Sequence, residues 1–477
     1  MTAVRPRILF CLATTALSGG VKVVFEIASR LQARGYPVEI LACAGPPRWR
    51  DLDVPLLASR DLESVDPSRY DMIVATNAFM VPMLWGRVAP ARLVFYAQDY
   101  ESFHHAPGAT YAEFMADSPA MRAVYELATP IITQSRAVQR LIRERAGRNA
   151  WYAPLGLNRA IFHEQPRATH AGRRRVLFVG NYLMPYKGMR DGFEAAAALS
   201  RDLDVEVVLA TQETRERALF AAYPFSTEVH LRPPEAAMPA IYVSCDVYCC
   251  ASWYEGLGLP ALEAFACGVP VVSTRTFGVD DYGIDGTNLL LADAHDPADL
   301  AAKLRRLLTE PALARDLREG GLETIRRAYD WDEGIDQFEH ALREIAREPP
   351  PTPPGETVLA DMVVRLEHDG CFTPLAVFRR YDRVMSELDA AVAVLTAGRD
   401  AGALAKVREV RDAIAPLIAN PKAQYYRSFR AQYDLCQLML GLEDGAQLSA
   451  FLTKRRARRN AHAPNPAPAL REVRYLD

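Results

Sequence analysis

Short apolar segments alternate with segments of helical periodicity along the first part of the chain, and this alternation is the feature that most restricts its fold. The runs Ile8–Leu12, Val38–Ala42 and Leu93–Ala97 are apolar at successive positions, as in strands that are buried on both faces. Helical periodicity separates such runs, for example over Val21–Ala33 and Arg136–Ala146. Strands of this kind, joined by helices, form a parallel sheet that is covered on both sides. We therefore predict a doubly wound α/β domain.

The same pattern begins a second time further along the chain. The polar stretch His163–Arg175 lacks apolar periodicity and is interpreted as a linker between domains. Val176–Gly180 then opens a new series of apolar runs. We predict two α/β domains, residues 1–163 and 164–348. Within the first domain, a single helix is expected over Tyr111–Ala128.

The last part of the chain has a different character. Proline density predicts a stiff spacer over residues 349–355. Apolar residues then recur every three or four positions between Leu375 and Leu395, which predicts a helical extension over residues 356–460. The tail, residues 461–477, is expected to be disordered.

Composition sets broad limits on function. Half of the 477 residues are hydrophobic, and the formal net charge of -3 argues against a protein that holds nucleic acid by counterion release. The eight cysteines are scattered, most of them in apolar runs, so we expect a reducing compartment and no zinc cluster. No apolar run reaches the length of a membrane span, and we expect a cytoplasmic protein that at most touches the membrane surface.

The stretch Ser252–Val272 contains the residues with the clearest chemistry. Glu255 lies on a turn interrupted by glycines, and Glu263 lies in a run that predicts a helix with Pro260 in its first turn. Free N–H groups at the start of such a helix favour a diphosphate. A carboxylate accepts hydrogen bonds from a vicinal diol, and two carboxylates beside the helix start would bind two diols. Two diols bridged by a diphosphate describe a nucleotide sugar.

The spacing of these two glutamates closely resembles the glutamate-seven-glutamate signature of retaining glycosyltransferases of family four. Tyr242–Tyr248 before the signature and Gly268–Val272 after it contribute to the resemblance, which covers about residues 7–348. It implies the GT-B fold, in which two doubly wound domains face a cleft and a last helix, from about Trp331, returns to the first domain. It also implies a metal-independent reaction without a cofactor, in which front-side attack retains the anomeric configuration.

The resemblance also implies a set of donor-binding residues. Lys187, in the turn after Val176–Gly180, is the expected cation for the diphosphate leaving group, whereas family members usually have an arginine where this chain has Asn181. Arg190 is a candidate substitute for that arginine. Glu255 and the amides after it are expected to hold the hydroxyls of the donor sugar, and Glu263 the ribose. The predicted donor-binding residues are Gly19, Gly20, Asn181, Lys187, Glu255, Gly256, Leu257, Gly258 and Glu263.

Polar side chains after the run Leu93–Ala97 are the candidates for the acceptor site. They are Gln98, Asp99, Glu101 and His104. A Gln-Asp-x-Glu sequence resembles the version found in bacterial rhamnan-type polysaccharide glycosyltransferases. Gln98 cannot act as a base, whereas either Asp99 or Glu101 can orient the acceptor hydroxyl. Lys187, Glu255 and Asp99 are the predicted catalytic residues, with no metal among them.

These features predict a glycosyltransferase that moves a hexose or deoxyhexose from a nucleotide diphosphate sugar to a glycan or lipid-linked acceptor. Two alternatives stay open: a catalytically impaired protein that binds nucleotide sugars or glycans, and a nucleotide-sugar epimerase. The arginine-rich helix Arg136–Arg148 is compatible with peripheral contact to anionic lipid, but its apolar stripe is expected to pack on its own sheet.

Overall fold

The computed structural model describes most of the chain. The described residues are 5–42, 47, 49–58, 66–85, 87–89, 91–103, 110–166, 172–182, 184–212, 223–368, 388, 390–395, 400–415, 426–441, 448, 450, 452 and 473–475. They divide into two compact units. Unit 1 comprises Met1–Ile73, Pro82–Ala91 and Gly355–Asp477, and unit 2 comprises Val74–Val81 and Arg92–Pro354.

The first sheet has eight strands. They are β1 (Ile8–Leu12), β2 (Val38–Ala42), β3 (Leu56–Ala58), β4 (Met72–Ala75), β5 (Arg92–Ala97), β6 (Ile131–Thr133), β7 (Trp151–Tyr152) and β14 (Val473–Tyr475). Their order in the sheet is β14-β3-β2-β1-β4-β5-β6-β7. The pairs β1–β2, β2–β3, β5–β6 and β6–β7 are parallel. β1 and β4 are buried along their whole length, as their unbroken apolar sequences predict.

Five helices belong to the same part of the chain. They are α1 (Gly19–Ala33), α2 (Met80–Trp85), α3 (Tyr111–Met115), α4 (Pro119–Glu126) and α5 (Arg136–Ala146). Helix α1 begins at Ser18, whose hydroxyl accepts the N–H of Val21, and α5 begins at Ser135 in the same way. The apolar stripe of α5 is buried, so the interpretation that it packs within the fold is confirmed over the lipid-facing one.

The single helix predicted over Tyr111–Ala128 is wrong. The structure has α3 and α4 instead, with extended backbone at Ala116 between them. Pro119 explains the break, because a proline disfavours helical geometry at the preceding residue. Ser118 is accordingly extended, and its hydroxyl caps the N–H of Met121.

The second sheet has six strands, all paired in parallel. They are β8 (Arg174–Val179), β9 (Val205–Thr211), β10 (Ser226–Leu231), β11 (Val247–Cys250), β12 (Val271–Thr274) and β13 (Leu290–Ala292). Their order is β10-β9-β8-β11-β12-β13. The strand order therefore reverses between β8 and β11, and ligands of open α/β sheets bind outside the carboxyl ends of the strands at such a reversal.

From β8 to residue 348, the described part of the chain forms six helices. They are α6 (Met189–Leu199), α7 (Met238–Val243), α8 (Leu259–Ala266), α9 (Pro297–Thr309), α10 (Pro311–Arg327) and α11 (Trp331–Arg347). A core of buried side chains joins α6, α9 and the strands, with Phe178, Phe193 and Leu304 fully buried. The predicted helix with proline in its first turn corresponds to α8. The two predicted parallel-sheet domains are confirmed.

Helix α11 lies against strands of the first sheet. The ring of Phe338 meets Tyr96 of β5 edge-on, with the ring centroids 5.6 Å apart. At the start of the helix, a Cβ on Gly156 would lie 2.3 Å from the backbone nitrogen of Trp331. Only glycine permits this approach.

Helices also follow the proline-rich spacer. They are α12 (Glu356–His368), α13 (Ala401–Ile414) and α14 (Tyr426–Gly441). Val407, Cys436 and Met439 are among the buried side chains that join α13 to α14. The predicted helical extension is therefore present, although most of the run Leu375–Leu395 lies outside the described residues. Of the tail 461–477, the structure describes only residues 473–475, which form β14 and pair in parallel with β3.

Candidate active site at the carboxyl edge of the second sheet

Backbone strain is concentrated where strands of the second sheet end. Of the four non-glycine residues with positive φ in the described chain, three follow such strands: Arg232 after β10, Phe277 after β12 and His295 after β13. Their φ angles are 51°, 67° and 60°. Non-glycine residues rarely adopt these conformations, and those that do cluster at functional sites. The strain therefore marks the same edge as the reversal of strand order.

The loop from β8 to α6 contains Lys187. It ends in a 3-10 turn, Pro185–Lys187, followed by Gly188 in the left-handed conformation. A Cβ on Gly188 would lie 1.8 Å from the carbonyl oxygen of Ala251, so the position requires glycine for space as well as for conformation. This contact holds the loop against the segment that follows β11.

Lys187 forms an ion pair with Glu255. Its Nζ lies 2.8 Å from Oε1 of Glu255, and the hydroxyl of Ser252 donates to the same oxygen over 2.6 Å. Burial acts to lower the pKa of Lys187, but the charge of Glu255, the nearby Tyr186 and the hydrogen bond to Glu255 together raise that pKa above its ordinary value. Lys187 is therefore a cation, held after β8, beside a carboxylate held after β11.

The turn that carries Glu255 is fixed by the segment after β12. The N–H of Glu255 donates to the carbonyl of Thr276, and the N–H of Gly278 donates to the carbonyl of Glu255. A Cβ on Gly278 would lie 2.6 Å from the carbonyl oxygen of Glu255 and 2.8 Å from that of Gly256. Gly278 thus lets two segments approach too closely for any other residue.

Helix α8 begins directly after this turn. Gly258 has φ 90° and no side chain caps the helix. The side chain of Leu257 is buried. Pro260 has no N–H and the N–H of Ala261 donates to the carbonyl of Gly258, so an anion beside this helix start would bind N–H groups of the turn that precedes Pro260.

Glu263 lies within α8 and is 7% exposed. Its Oε2 accepts a hydrogen bond from the hydroxyl of Tyr242 over 2.8 Å, and the tyrosine is fully buried on α7. A buried carboxylate is costly unless it is hydrogen-bonded, and Tyr242 provides such a bond.

The predicted acceptor residues Gln98 and Asp99 lie against the glutamate turn. A Cβ on Gly256 would lie 2.5 Å from the carbonyl oxygen of Gln98 and 2.8 Å from Cβ of Asp99. The N–H of Tyr100 donates to the hydroxyl of Tyr254 over 2.6 Å. The side-chain oxygen of Gln98 is buried and has no hydrogen-bond partner among the described residues. The structure thus brings these two residues to the turn of Glu255.

The other predicted residues are placed differently. Glu101 accepts the N–H of Ala78 over 2.8 Å, and burial, followed by the charge of Asp99, raises the pKa of its carboxyl well above the ordinary value. The carboxyl thus secures a neighbouring loop. Arg190, the candidate substitute cation, is exposed and pairs with Glu194.

Four predicted positions add little to the geometry of the site. His104 lies outside the described residues. Asn181 accepts the N–H of Met184 with its carbonyl in the loop before Lys187. In unit 1, Gly19 and Gly20 begin α1, and a Cβ on Gly19 would have nothing within 4 Å.

Several residues at this edge were not among the predicted site residues. They are Tyr242, Ser252, Trp253, Thr276, Phe277, Gly278, Asp191 and His295. Gly278 had a recognisable signal, because a glycine shortly after a predicted strand of a parallel sheet is a candidate for close backbone approach. The hydroxyl partners of Glu255 and Glu263, which are Ser252 and Tyr242, carried no such signal, because hydroxyl groups are common in every part of a chain.

Two negative observations apply to the described residues. No helix among them is long and apolar enough to cross a membrane. Nor do they hold three or more His, Cys, Asp or Glu side chains grouped as ligands for a metal ion.

Two parallel sheets of this kind occur in the GT-B fold, the fold class that the sequence predicts. Residues 173–310 match the family model described as "Glycosyl transferases group 1". The predicted fold and enzyme class are thereby confirmed, as is the coarser part of the resemblance, a group 1 glycosyltransferase.

Individual proteins show the same similarity. The MMP alpha-(1->4)-mannosyltransferase of Mycolicibacterium hassiacum is 31% identical over 203 residues, which are 40% of this chain and 49% of that protein. The D-inositol 3-phosphate glycosyltransferase of Acidothermus cellulolyticus is 28% identical over 396 residues, covering 69% of this chain and 87% of that protein. The match thus spans about half the length of the first relative and most of the second.

Solved structures share the fold. The crystal structure of Anabaena HepE in complex with UDP-glucose superimposes with a TM-score of 0.56 at 17% identity. It covers 71% of this chain and all of that one.

Proposed function

We propose that the protein is a retaining, metal-independent glycosyltransferase that moves a hexose or deoxyhexose from a nucleoside diphosphate to a glycan or lipid-linked acceptor. The acceptor would belong to bacterial surface polysaccharide synthesis, including the rhamnan type. One observation carries the proposal: Lys187 and Glu255, joined over 2.8 Å, follow the two strands at which the order of the second sheet reverses.

The donor would lie along this edge. Its diphosphate would bind Lys187 and the free N–H groups at the start of α8, because both favour negative charge. Ser252 and Lys187 share one oxygen of Glu255, which would orient the carboxylate for the hydroxyls of the donor sugar. Glu263, oriented by Tyr242, would hold the ribose. The described contacts support each assignment with a named partner.

The acceptor would enter beside Asp99. Gln98 and Asp99 pack on Gly256, one residue after Glu255, and the buried oxygen of Gln98 is suited to accept a hydrogen bond from a hydroxyl. The departing diphosphate oxygen would take the proton of the attacking hydroxyl on the same face of the sugar. Lys187 would stabilise the charge that develops on that oxygen, and catalysis would depend on positioning and electrostatics.

The test is a donor screen on the purified protein. Thermal unfolding is followed with UDP-, GDP-, dTDP- and ADP-sugars in the presence of EDTA, then repeated with Glu263→Ala. A donor at a hundredfold excess over Kd should stabilise the wild type by about 2.7 kcal/mol, and the variant should lose that response. Stabilisation by no donor, with EDTA or with manganese, would contradict the proposal and favour the binding-protein alternative for another ligand.

Two further variants separate binding from chemistry. With the donor that binds, Lys187→Ala should lower turnover about 10²- to 10³-fold, whereas Lys303→Ala, a lysine paired with Asp299 on α9, should not. Equal turnover in the two lysine variants would remove Lys187 from the mechanism.

A further inference from the structure

A buried carboxylate outside the predicted site is attached to both catalytic segments. Asp191 lies in the first turn of α6, four residues after Lys187, and is 7% exposed. Its Oδ2 accepts the indole N–H of Trp253 over 2.7 Å, and Nδ1 of His295 lies 3.1 Å from the same oxygen. The family signature accounts for none of these contacts.

Trp253 connects this carboxylate to Lys187 and Glu255. Its backbone N–H donates to the carbonyl of Tyr186 over 2.7 Å, directly before Lys187. Along the chain it follows Ser252, whose hydroxyl holds Glu255, and precedes Glu255 by two residues. The ring and the backbone of one tryptophan therefore tie the start of α6, the Lys187 loop and the glutamate turn together.

The arrangement is costly for a fold that needs only packing. Burying a carboxylate is unfavourable unless it is paired and hydrogen-bonded. His295 reaches Asp191 from a left-handed backbone, with φ 60°, which costs a non-glycine residue of order 1–3 kcal/mol. Tyr111 of α3 stacks on the same histidine, with the ring centroids 5.5 Å apart. Two costly features that meet at one carboxylate beside the candidate site indicate a functional constraint.

We propose that Asp191 is a positioning residue, which holds Trp253 so that Lys187 and Glu255 keep the geometry of their ion pair. The inference rests on the proposed function for its catalytic meaning, whereas the contacts themselves do not. Without Asp191 the indole N–H loses its acceptor, Trp253 shifts, and Nζ of Lys187 is no longer held on Oε1 of Glu255. The displaced ion pair would stabilise the transition state less well, and a misplacement of about 1 Å costs up to about a hundredfold in rate.

The first experiment needs no donor. Acetylation of Lys187 by acetic anhydride is followed by peptide mass spectrometry in the wild type, Asp191→Asn and Asp191→Leu, with Lys303 of the same sample as the internal reference. We expect Lys187 to react about tenfold faster in Asp191→Leu, since the free amine increases tenfold for each pKa unit lost with the ion pair. Asp191→Asn keeps an acceptor oxygen for the indole, so its Lys187 should react at a rate between those of the wild type and Asp191→Leu.

Matched variants decide whether the effect is specific. Glu194 is a carboxylate on the same helix and pairs with the exposed Arg190. In Glu194→Gln, Lys187 should react at the same rate as in the wild type. Should Asp191→Leu fail to fold, Trp253→Phe removes the indole N–H and keeps a ring, and it should accelerate the reaction of Lys187 likewise. Unchanged reactivity in Asp191→Asn and Trp253→Phe, or an equal increase in Glu194→Gln, would overturn the proposal.

Steady-state kinetics supply the second measurement. With a donor accepted by the wild type, Asp191→Asn should lower kcat about 10- to 100-fold with little change in the donor KM. A raised donor KM with normal kcat would contradict positioning. If the wild type turns over no donor, the proposed function fails, and the reactivity of Lys187 still decides whether Asp191 positions it.

Discussion

At the scale of single residues, the two sets of predicted carboxylates have different surroundings. Glu255 and Glu263 each receive a hydroxyl donor that orients them, from Ser252 and Tyr242. Glu101 instead receives a backbone N–H and lies close enough to Asp99 for the two charges to repel each other. Glutamate is thus a candidate ligand contact at positions 255 and 263, whereas at position 101 it holds a neighbouring loop.

The raised pKa of Glu101 gives a pH-dependent prediction. The folded state binds the proton of Glu101 more tightly than the unfolded chain, because burial and Asp99 both disfavour the charged form. The stabilisation is therefore fully present below the ordinary pKa of 4.5 and is lost as the pH rises through the raised folded value. Glu101→Gln does not titrate and keeps an acceptor for Ala78.

Urea unfolding between about pH 4.5 and pH 8 checks this prediction. The free energy of unfolding of the wild type should fall relative to that of Glu101→Gln as the pH rises. Glu194→Gln, an exposed carboxylate on α6, provides the control and should show no such trend. Parallel pH profiles for the wild type and Glu101→Gln would contradict the assignment.

At the scale of elements, the active edge depends on close contacts between turns. Gly188 meets Ala251, Gly256 meets Gln98, and Gly278 meets Glu255, each at a distance that excludes a Cβ. Every one of these turns follows a different strand or precedes a different helix. Their glycines let several short segments share one small region of the fold.

Gly278→Ala should disrupt this contact between turns. Its Cβ would overlap backbone atoms of Glu255 and Gly256, which cannot rotate away as a side chain would. We expect a loss of about 1–3 kcal/mol in the free energy of unfolding, measured in urea. Gly355→Ala, which meets nothing within 4 Å, should change it by less than about 0.5 kcal/mol. Equal stability of the two variants would show that the turn relaxes freely.

At the scale of the whole molecule, the catalytic proposal concerns only part of the chain. The candidate donor residues after β8 and β11 belong to unit 2, whereas α13 and α14 belong to unit 1 and bury their apolar side chains in a core of their own. None of the described side chains in that core is among the candidate donor residues. The helical extension therefore has no assigned part in donor binding.

Hydrogen exchange with and without nucleotide checks this division. A saturating nucleoside diphosphate, UDP or GDP according to the donor screen, should slow exchange in the turn 252–258 and the first turn of α8, where free N–H groups would bind phosphate. Exchange in α13 and α14 should not change. Protection confined to those two helices would show that the nucleotide binds there, and it would contradict the assignment of the donor site to the start of α8.

Much of the fold and of the candidate site could be predicted from sequence, because local patterns carry that information. Apolar runs buried on both faces specify a parallel sheet, and Lys187, Glu255 and Glu263 were recognisable from turn and helix signals at fixed spacing. The division of Tyr111–Ala128 into two helices also had a local signal, the pair Ser118-Pro119. The prediction of a single helix did not take this signal into account.

The sequence alone determined the two α/β domains, the strand-to-helix turns and the acidic and basic residues placed on them, since each follows from neighbours along the chain. Only the tertiary structure decided how those residues are held. Asp191 is separated from Trp253 by 62 residues and from His295 by 104, and Glu263 from Tyr242 by 21. No periodicity links such positions. They meet because parallel strands bring their carboxyl ends to one edge, and contacts across that edge depend on packing that no local pattern encodes.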